Sequence, residues 1–121
     1  MENSIVVLDA KEKQCDELCT MLEEYYNPVT PMYSLPDFEN SFQEPENDYA
    51  VVIIDLDTIP VDMRLFRRLK RLKPALNIIG LSSRPFHPGL EEAMTSYIYA
   101  CLSKPVDEDE LNFLIKSLFQ T

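Results

Sequence analysis

Glycine is nearly missing from this 121-residue chain, occurring only as Gly80 and Gly89. A loop that wraps a nucleotide phosphate needs several closely spaced glycines, so that class of site is excluded. Histidine is scarcer still. The one histidine, His87, falls in a stretch read as a loop with two prolines, residues 84–88, so neither a metal-histidine cluster nor a serine-histidine pair is expected. Cysteine is limited to Cys15, Cys19 and Cys101. An odd number in a chain with no signal peptide predicts a reducing, cytoplasmic setting. Cys15 and Cys19 lie four apart on an apolar stripe and are read as core packing, not as metal ligands or a redox pair. No apolar run exceeds strand length, which excludes a membrane-spanning helix. Basic residues are in deficit too: 11 against 21 acids leaves a formal charge of −10, which argues against nucleic acid as a partner.

What basic charge there is lies close together. Arg64, Arg67, Arg68, Lys70, Arg71 and Lys73 supply six of the eleven within ten positions, with no acid among them. This is the pattern of a solvated helix face, with a dock for an acidic partner as the second reading. The length suits one compact domain spanning residues 1–121, large enough to bury a core without staples.

The chain is organised around Val51-Val52-Ile53-Ile54-Asp55-Leu56-Asp57. Four β-branched residues without polar alternation read as a strand buried on both faces, as in a parallel sheet, and the strand ends on Asp55. Residues 4–8 repeat the pattern and end on Asp9. Residues 11–26 place Cys15, Leu18, Cys19, Leu22 and Tyr25 on one helical face. Residues 29–33 form a weak strand that Pro31 assigns to a sheet edge. A short helix over 36–43 turns Phe38 and Phe42 inward. A helix after Pro60 carries Leu65, Phe66, Leu69 and Leu72 on its core side and ends at Pro74. Residues 77–81 are the fourth strand, running into Ser82 and Ser83. A short helix over 89–97 and a strand over 99–102 follow, the strand running into Ser103-Lys104-Pro105. In the last helix Asp107 is the cap, Glu110 completes a capping box, and Leu111, Leu114, Ile115 and Leu118 are buried. Five strands alternating with five helices predict a three-layer α/β fold with a parallel sheet.

If the strands run in the order 2-1-3-4-5, Asp9, Asp55, Ser82 and Lys104 meet at one edge, where open parallel sheets bind ligands. A carboxylate that accepts a phosphoryl group needs a divalent cation held by acids, a hydroxyl for a phosphoryl oxygen and a lysine against the added charge. These four residues match that requirement.

In this respect the chain resembles the receiver domains of two-component response regulators over essentially its whole length. The resemblance is carried by Val7-Leu8-Asp9, the strand ending at Asp55, Leu81-Ser82-Ser83 and Leu102-Ser103-Lys104-Pro105-Val106. It implies a flavodoxin-like fold, with Asp55 accepting a phosphoryl group from the phosphohistidine of a sensor histidine kinase or a phosphotransfer protein. It further implies Mg²⁺ at Asp9, Asp55 and Asp57, Ser82 and Lys104 as phosphate contacts, and a cis Lys104–Pro105 bond. Ser82 is the hydroxyl switch position, and the aromatic switch position falls on Cys101, with Tyr99 two residues away. The face made by the fourth helix, fifth strand and fifth helix is the implied surface for a downstream partner or a second copy.

Three departures stand out. Ala10 replaces the second of two adjacent acids; losing one acid weakens Mg²⁺ binding roughly ten-fold or more, unless Asp57 or Glu12 compensates. Cys101 is not aromatic. Thr58-Ile59-Pro60-Val61 replaces the usual Met-Pro-Gly stretch. The alternative is therefore a degenerate receiver that works as a docking or dimerisation module without phosphorylation. Asp55-Leu56-Asp57-Thr58 also resembles the first motif of haloacid-dehalogenase-type phosphatases, with Asp55 the nucleophile and Asp57 the general acid. That motif belongs on a first strand, and no later paired-acid motif follows, so a signalling module rather than an enzyme is expected. The chain stops just after the last helix, as expected of a stand-alone regulator or a piece of a longer one.

Overall fold

The computed structural model describes residues 4–84 and 87–120. Strands and helices alternate as β1 (Ile5–Leu8), α1 (Glu12–Glu23), β2 (Val29–Met32), α2 (Leu35–Phe42), β3 (Val51–Asp55), α3 (Met63–Leu72), β4 (Asn77–Ser82), α4 (Glu91–Ser96), β5 (Ala100–Ser103) and α5 (Glu108–Phe119). Every neighbouring pair of strands is parallel and the order is β2-β1-β3-β4-β5, as the sequence predicts. Pro31 lies on β2, at the sheet edge.

Successive side chains on a strand face opposite ways, so each inner strand supplies two cores. Val6, Leu8, Val52, Ile54 and Ile78 pack with Phe38 and Phe42 of α2, Phe66 and Leu69 of α3, and Ala93 of α4. On the other side, Ile5, Val7, Val51, Ile53, Ile79 and Leu81 pack with Cys15, Cys19 and Leu22 of α1 and with Leu111 and Ile115 of α5. The unbroken apolar runs of β1 and β3 thus reflect burial on both faces, and all their residues are inaccessible to solvent.

Some boundaries differ from expectation. Helix α3 begins at Met63 rather than at Pro60, because Ile59 is drawn into the core and Asp62 caps the helix by accepting from Leu65 N at 3.0 Å. Leu72, expected inside, is exposed at the last turn of α3, and Leu76 fills the core instead. Tyr25 is exposed as well, since α1 has ended at Glu23 and the helical phase is lost. Tyr26 takes the inner place, edge-on to Phe119 with ring centroids 5.7 Å apart. Asp107 caps α5 as predicted, accepting from Glu110 N at 3.1 Å. The Lys104–Pro105 bond is cis, and so is Asn27–Pro28. Of the 84–88 loop, Pro85 and Phe86 lie outside the described residues. Among the described residues no helix is long and apolar enough to cross a membrane.

Candidate functional site

Strand order decides which chain segments meet. With β1 beside β3 and β3 beside β4, the carboxyl ends of β1, β3 and β4 lie side by side, and Lys104 follows β5. Backbone pairing continues past the strands and fixes these ends: Asp9 N donates to Met32 O at 3.0 Å, Leu56 N to Leu81 O at 2.8 Å, and Lys104 N to Ser82 O at 3.0 Å.

Asp55 is at the centre, and its side chain is fully buried. Its Oδ1 receives Lys104 Nζ at 2.9 Å and Asp57 N at 3.4 Å. Its Oδ2 receives the Thr58 hydroxyl at 2.9 Å and the Gln14 amide at 3.2 Å. Asp9, also buried, accepts from Lys11 N at 2.9 Å and from Gln14 through Oδ2, and its Oδ1 lies 3.2 Å from the Thr58 hydroxyl, whose single proton it shares with the nearer Asp55 Oδ2. Carboxylates only accept, so it is the amide nitrogen of Gln14 that must face them.

Asp57 does not join the acid pair. Its Oδ2 accepts from Ser83 N at 2.9 Å and from Lys104 Nζ at 3.2 Å. Burial pushes the Asp57 carboxyl up, but the Ser83 amide and the Lys104 ammonium outweigh it and hold the pKa at about 2. The carboxylate form is thus the one these contacts favour. Burial likewise pulls the Lys104 ammonium down, and Asp55 and Asp57 together more than reverse this, leaving it raised.

Ser82 is buried with its hydroxyl turned toward the β4–α4 loop. Its Oγ accepts from Arg84 N at 2.9 Å, reaches Arg84 O at 2.9 Å and Asp57 Oδ1 at 3.4 Å, and is hydrogen-bonded to His87 Nε2. His87 is thus buried in the site rather than idle in a loop, and a serine-histidine pair exists where none was expected. Its polarity is set by Arg84, whose Nη2 lies 3.0 Å from His87 Nδ1. A guanidinium only donates, so Nδ1 accepts and Nε2–H donates to Ser82. The pair therefore holds the hydroxyl in place and does not activate it as a nucleophile. Cys101 is exposed on β5, and Tyr99, exposed too, precedes the strand, so neither is a buried aromatic at the switch position.

The expected metal set of Asp9, Asp55 and Asp57 is not assembled, and Glu12 is exposed at the start of α1. A hard divalent cation needs several converging oxygen lone pairs. Here the groups facing both Asp9 and Asp55 are an amide N–H and a hydroxyl, and among the described residues no group of three Asp, Glu, His or Cys could hold an ion. The residues as arranged do not fit Mg²⁺. Gln14 and Thr58 escape a motif-based reading because both are neutral. Their spacing was the available signal: Thr58 stands three residues past Asp55, and Gln14 sits in the first turn of the helix after Asp9.

Taken together, the sheet order, the buried acid closing β3 and the lysine after β5 define the architecture of a response-regulator receiver domain, and the chain has that fold. A receiver domain from Clostridium thermocellum is 25% identical, with a TM-score of 0.82 over 96% of this chain and 93% of its own. A CheY-like receiver domain from Methanospirillum hungatei is 18% identical, with a TM-score of 0.81 over 97% and 93%. The beryllofluoride-activated DrrB receiver domain, DrrB being a Thermotoga maritima protein, is 19% identical, with a TM-score of 0.82 and full coverage of both chains. No protein-family model and no curated protein sequence matches the chain.

Proposed function

We propose that this chain acts as the receiver of a phosphorelay, with Asp55 accepting a phosphoryl group from the phosphohistidine of a sensor kinase or phosphotransfer protein. The observation that carries this reading is the contact of Lys104 Nζ with Asp55 Oδ1 at 2.9 Å, at the sheet edge where β1 runs into Asp9 and β4 ends on Ser82. In the transfer a carboxylate oxygen of Asp55 bonds to phosphorus as the phosphorus–nitrogen bond breaks, and the freed imidazole keeps the electron pair and takes up a proton. Lys104, already between two carboxylates, is placed to offset the charge added at Asp55. Ser82 must leave His87 to reach a phosphoryl oxygen, which makes that hydroxyl the moving part. The signal then passes to a downstream protein or to a second copy of the chain.

A second reading, a receiver fold that docks partners without phosphorylation, is favoured by one observation: both oxygens of Asp55 are already engaged and its side chain has no solvent exposure. Labelling with acetyl phosphate and Mg²⁺, read by intact mass, separates the two. The receiver reading expects one added phosphoryl group on the wild-type chain and none on Asp55→Asn. A folded wild-type chain that never labels establishes the docking module, and equal labelling of both chains moves the acceptor elsewhere.

A further inference from the structure

Between Asp9 and Asp55, where two buried carboxylates would otherwise face each other, stands a neutral side chain. Gln14 Nε2 donates to Asp9 Oδ2 and, at 3.2 Å, to Asp55 Oδ2. Beside it the Thr58 hydroxyl accepts from Ala10 N at 3.1 Å and lies 3.2 Å from Asp9 Oδ1 and 2.9 Å from Asp55 Oδ2. The backbone of Ala10, a residue with no acid to offer, thus helps orient a donor toward the pair.

We propose that Gln14 is a built-in substitute for a divalent cation: its amide, with the Thr58 hydroxyl, holds Asp9 and Asp55 together in a cation-free resting pocket, and a cation enters only by displacing it. The inference rests on reading this pocket as the acidic pocket of a receiver, and not on Asp55 becoming phosphorylated.

Two carboxylates at one buried site repel, and a group of opposite polarity between them relieves the repulsion. A cation does this with full charge. An amide does it with two polarised N–H bonds, which Gln14 spends one on each acid. Lys104 cannot take over the task, because its ammonium contacts Asp55 and Asp57 and not Asp9. Among the described residues the pocket nevertheless keeps an excess of negative charge, with Asp9, Asp55 and Asp57 set against the Lys104 ammonium, which reaches only the last two. A cation is therefore still attracted, and the hydrogen bonds of Gln14, rather than any lack of field, keep it out. Room for exchange exists: a cleft of about 380 Å³ lined by Asp9, Gln14, Glu17 and Lys104 opens beside the pair.

The test is a Mg²⁺ titration of chelator-treated protein by calorimetry, with no phosphoryl donor present. Gln14→Ala should bind Mg²⁺ about ten-fold more tightly than wild type, because the ion no longer displaces two charge-assisted hydrogen bonds. Gln14→Glu, of the same length but charged, should bind more tightly still. Its Tm should fall below wild type without Mg²⁺ and recover when the ion is added. Unchanged or weaker binding by Gln14→Ala would make the amide a bystander or an oxygen ligand and overturn the proposal. Should Gln14→Ala fail to fold, the Gln14→Glu chain decides: a Tm indifferent to Mg²⁺ overturns it equally. Acetyl phosphate labelling of the same chains is a separate arm. Absence of label in every chain defeats the acceptor assignment of Asp55 while the Mg²⁺ affinities still decide the role of Gln14.

Discussion

Asp57 shows how much one side chain's direction matters. Two residues past Asp55, it belongs by spacing with the metal-binding acids, yet it faces Ser83 and Lys104 instead. Its folded pKa of about 2 lies below the ordinary carboxyl value, so the stability it contributes is complete above about pH 4 and is lost as pH falls through 2. Because Asp57 is an exposed residue, solvent screening keeps that contribution small. Urea midpoints measured from pH 5 to pH 2 should therefore fall more steeply for wild type than for Asp57→Asn, and parallel curves would remove the ion pair from the stability account. Asp9 and Asp55 were readable from sequence because each directly follows an apolar run, and Lys104 because it comes just after one with only Ser103 between, and a strand's end has only one place to be. Gln14, Thr58 and His87 were not, because their roles depend on how turns and a helix's first residues lean over that edge.

Elements were legible wherever burial was one-sided or complete. The strands β1 and β3 and the phenylalanines of α2 behave as their patterns predict. Helix α3 is the instructive departure, since Pro60 is a good first helical residue by local preference alone. Tertiary packing overrides that preference: Ile59 is held in the core and Thr58 at the acid pair, so the chain must turn before the helix can begin at Met63, capped by Asp62. Replacing Asp62 by Ala removes the hydrogen bond to Leu65 N and should cost about 1 kcal/mol in chemical denaturation. Replacing Pro60 by Ala should cost less, and the reverse ranking would place the helix start back at Pro60. The basic stripe on α3 is likewise settled by its neighbours. Arg67 pairs with Glu92 at 3.1 Å, Lys73 with Asp48 at 3.7 Å and Arg68 with Glu39. Such exposed pairs add little stability, but they neutralise the stripe within the molecule itself.

Over the molecule as a whole, this pairing matters more than the local run of arginines. With a formal charge of −10 and with Arg67, Arg68 and Lys73 of the stripe paired with the protein's own acids, the attraction for a phosphate backbone is weak. A mobility-shift assay with duplex DNA at about 0.15 M salt should show no retardation up to about 10 µM protein, and a salt-sensitive shift would reinstate the stripe as a docking face.

Hydrophobic periodicity and strand-end position are local properties, and on their own they determined the alternating α/β class and the parallel sheet, while the meeting of Asp9, Asp55, Ser82 and Lys104 needed the strand order β2-β1-β3-β4-β5 as well. Tertiary structure alone decided what those groups do with one another. Hydrogen-bond partners at a crowded sheet edge come from segments far apart in sequence, such as Gln14 with Asp55 or Thr58 with Asp9. Which neutral donor reaches which buried carboxylate is fixed only when the loops have packed, because an unpaired buried charge is costly and the fold closes around whatever donor lies within reach.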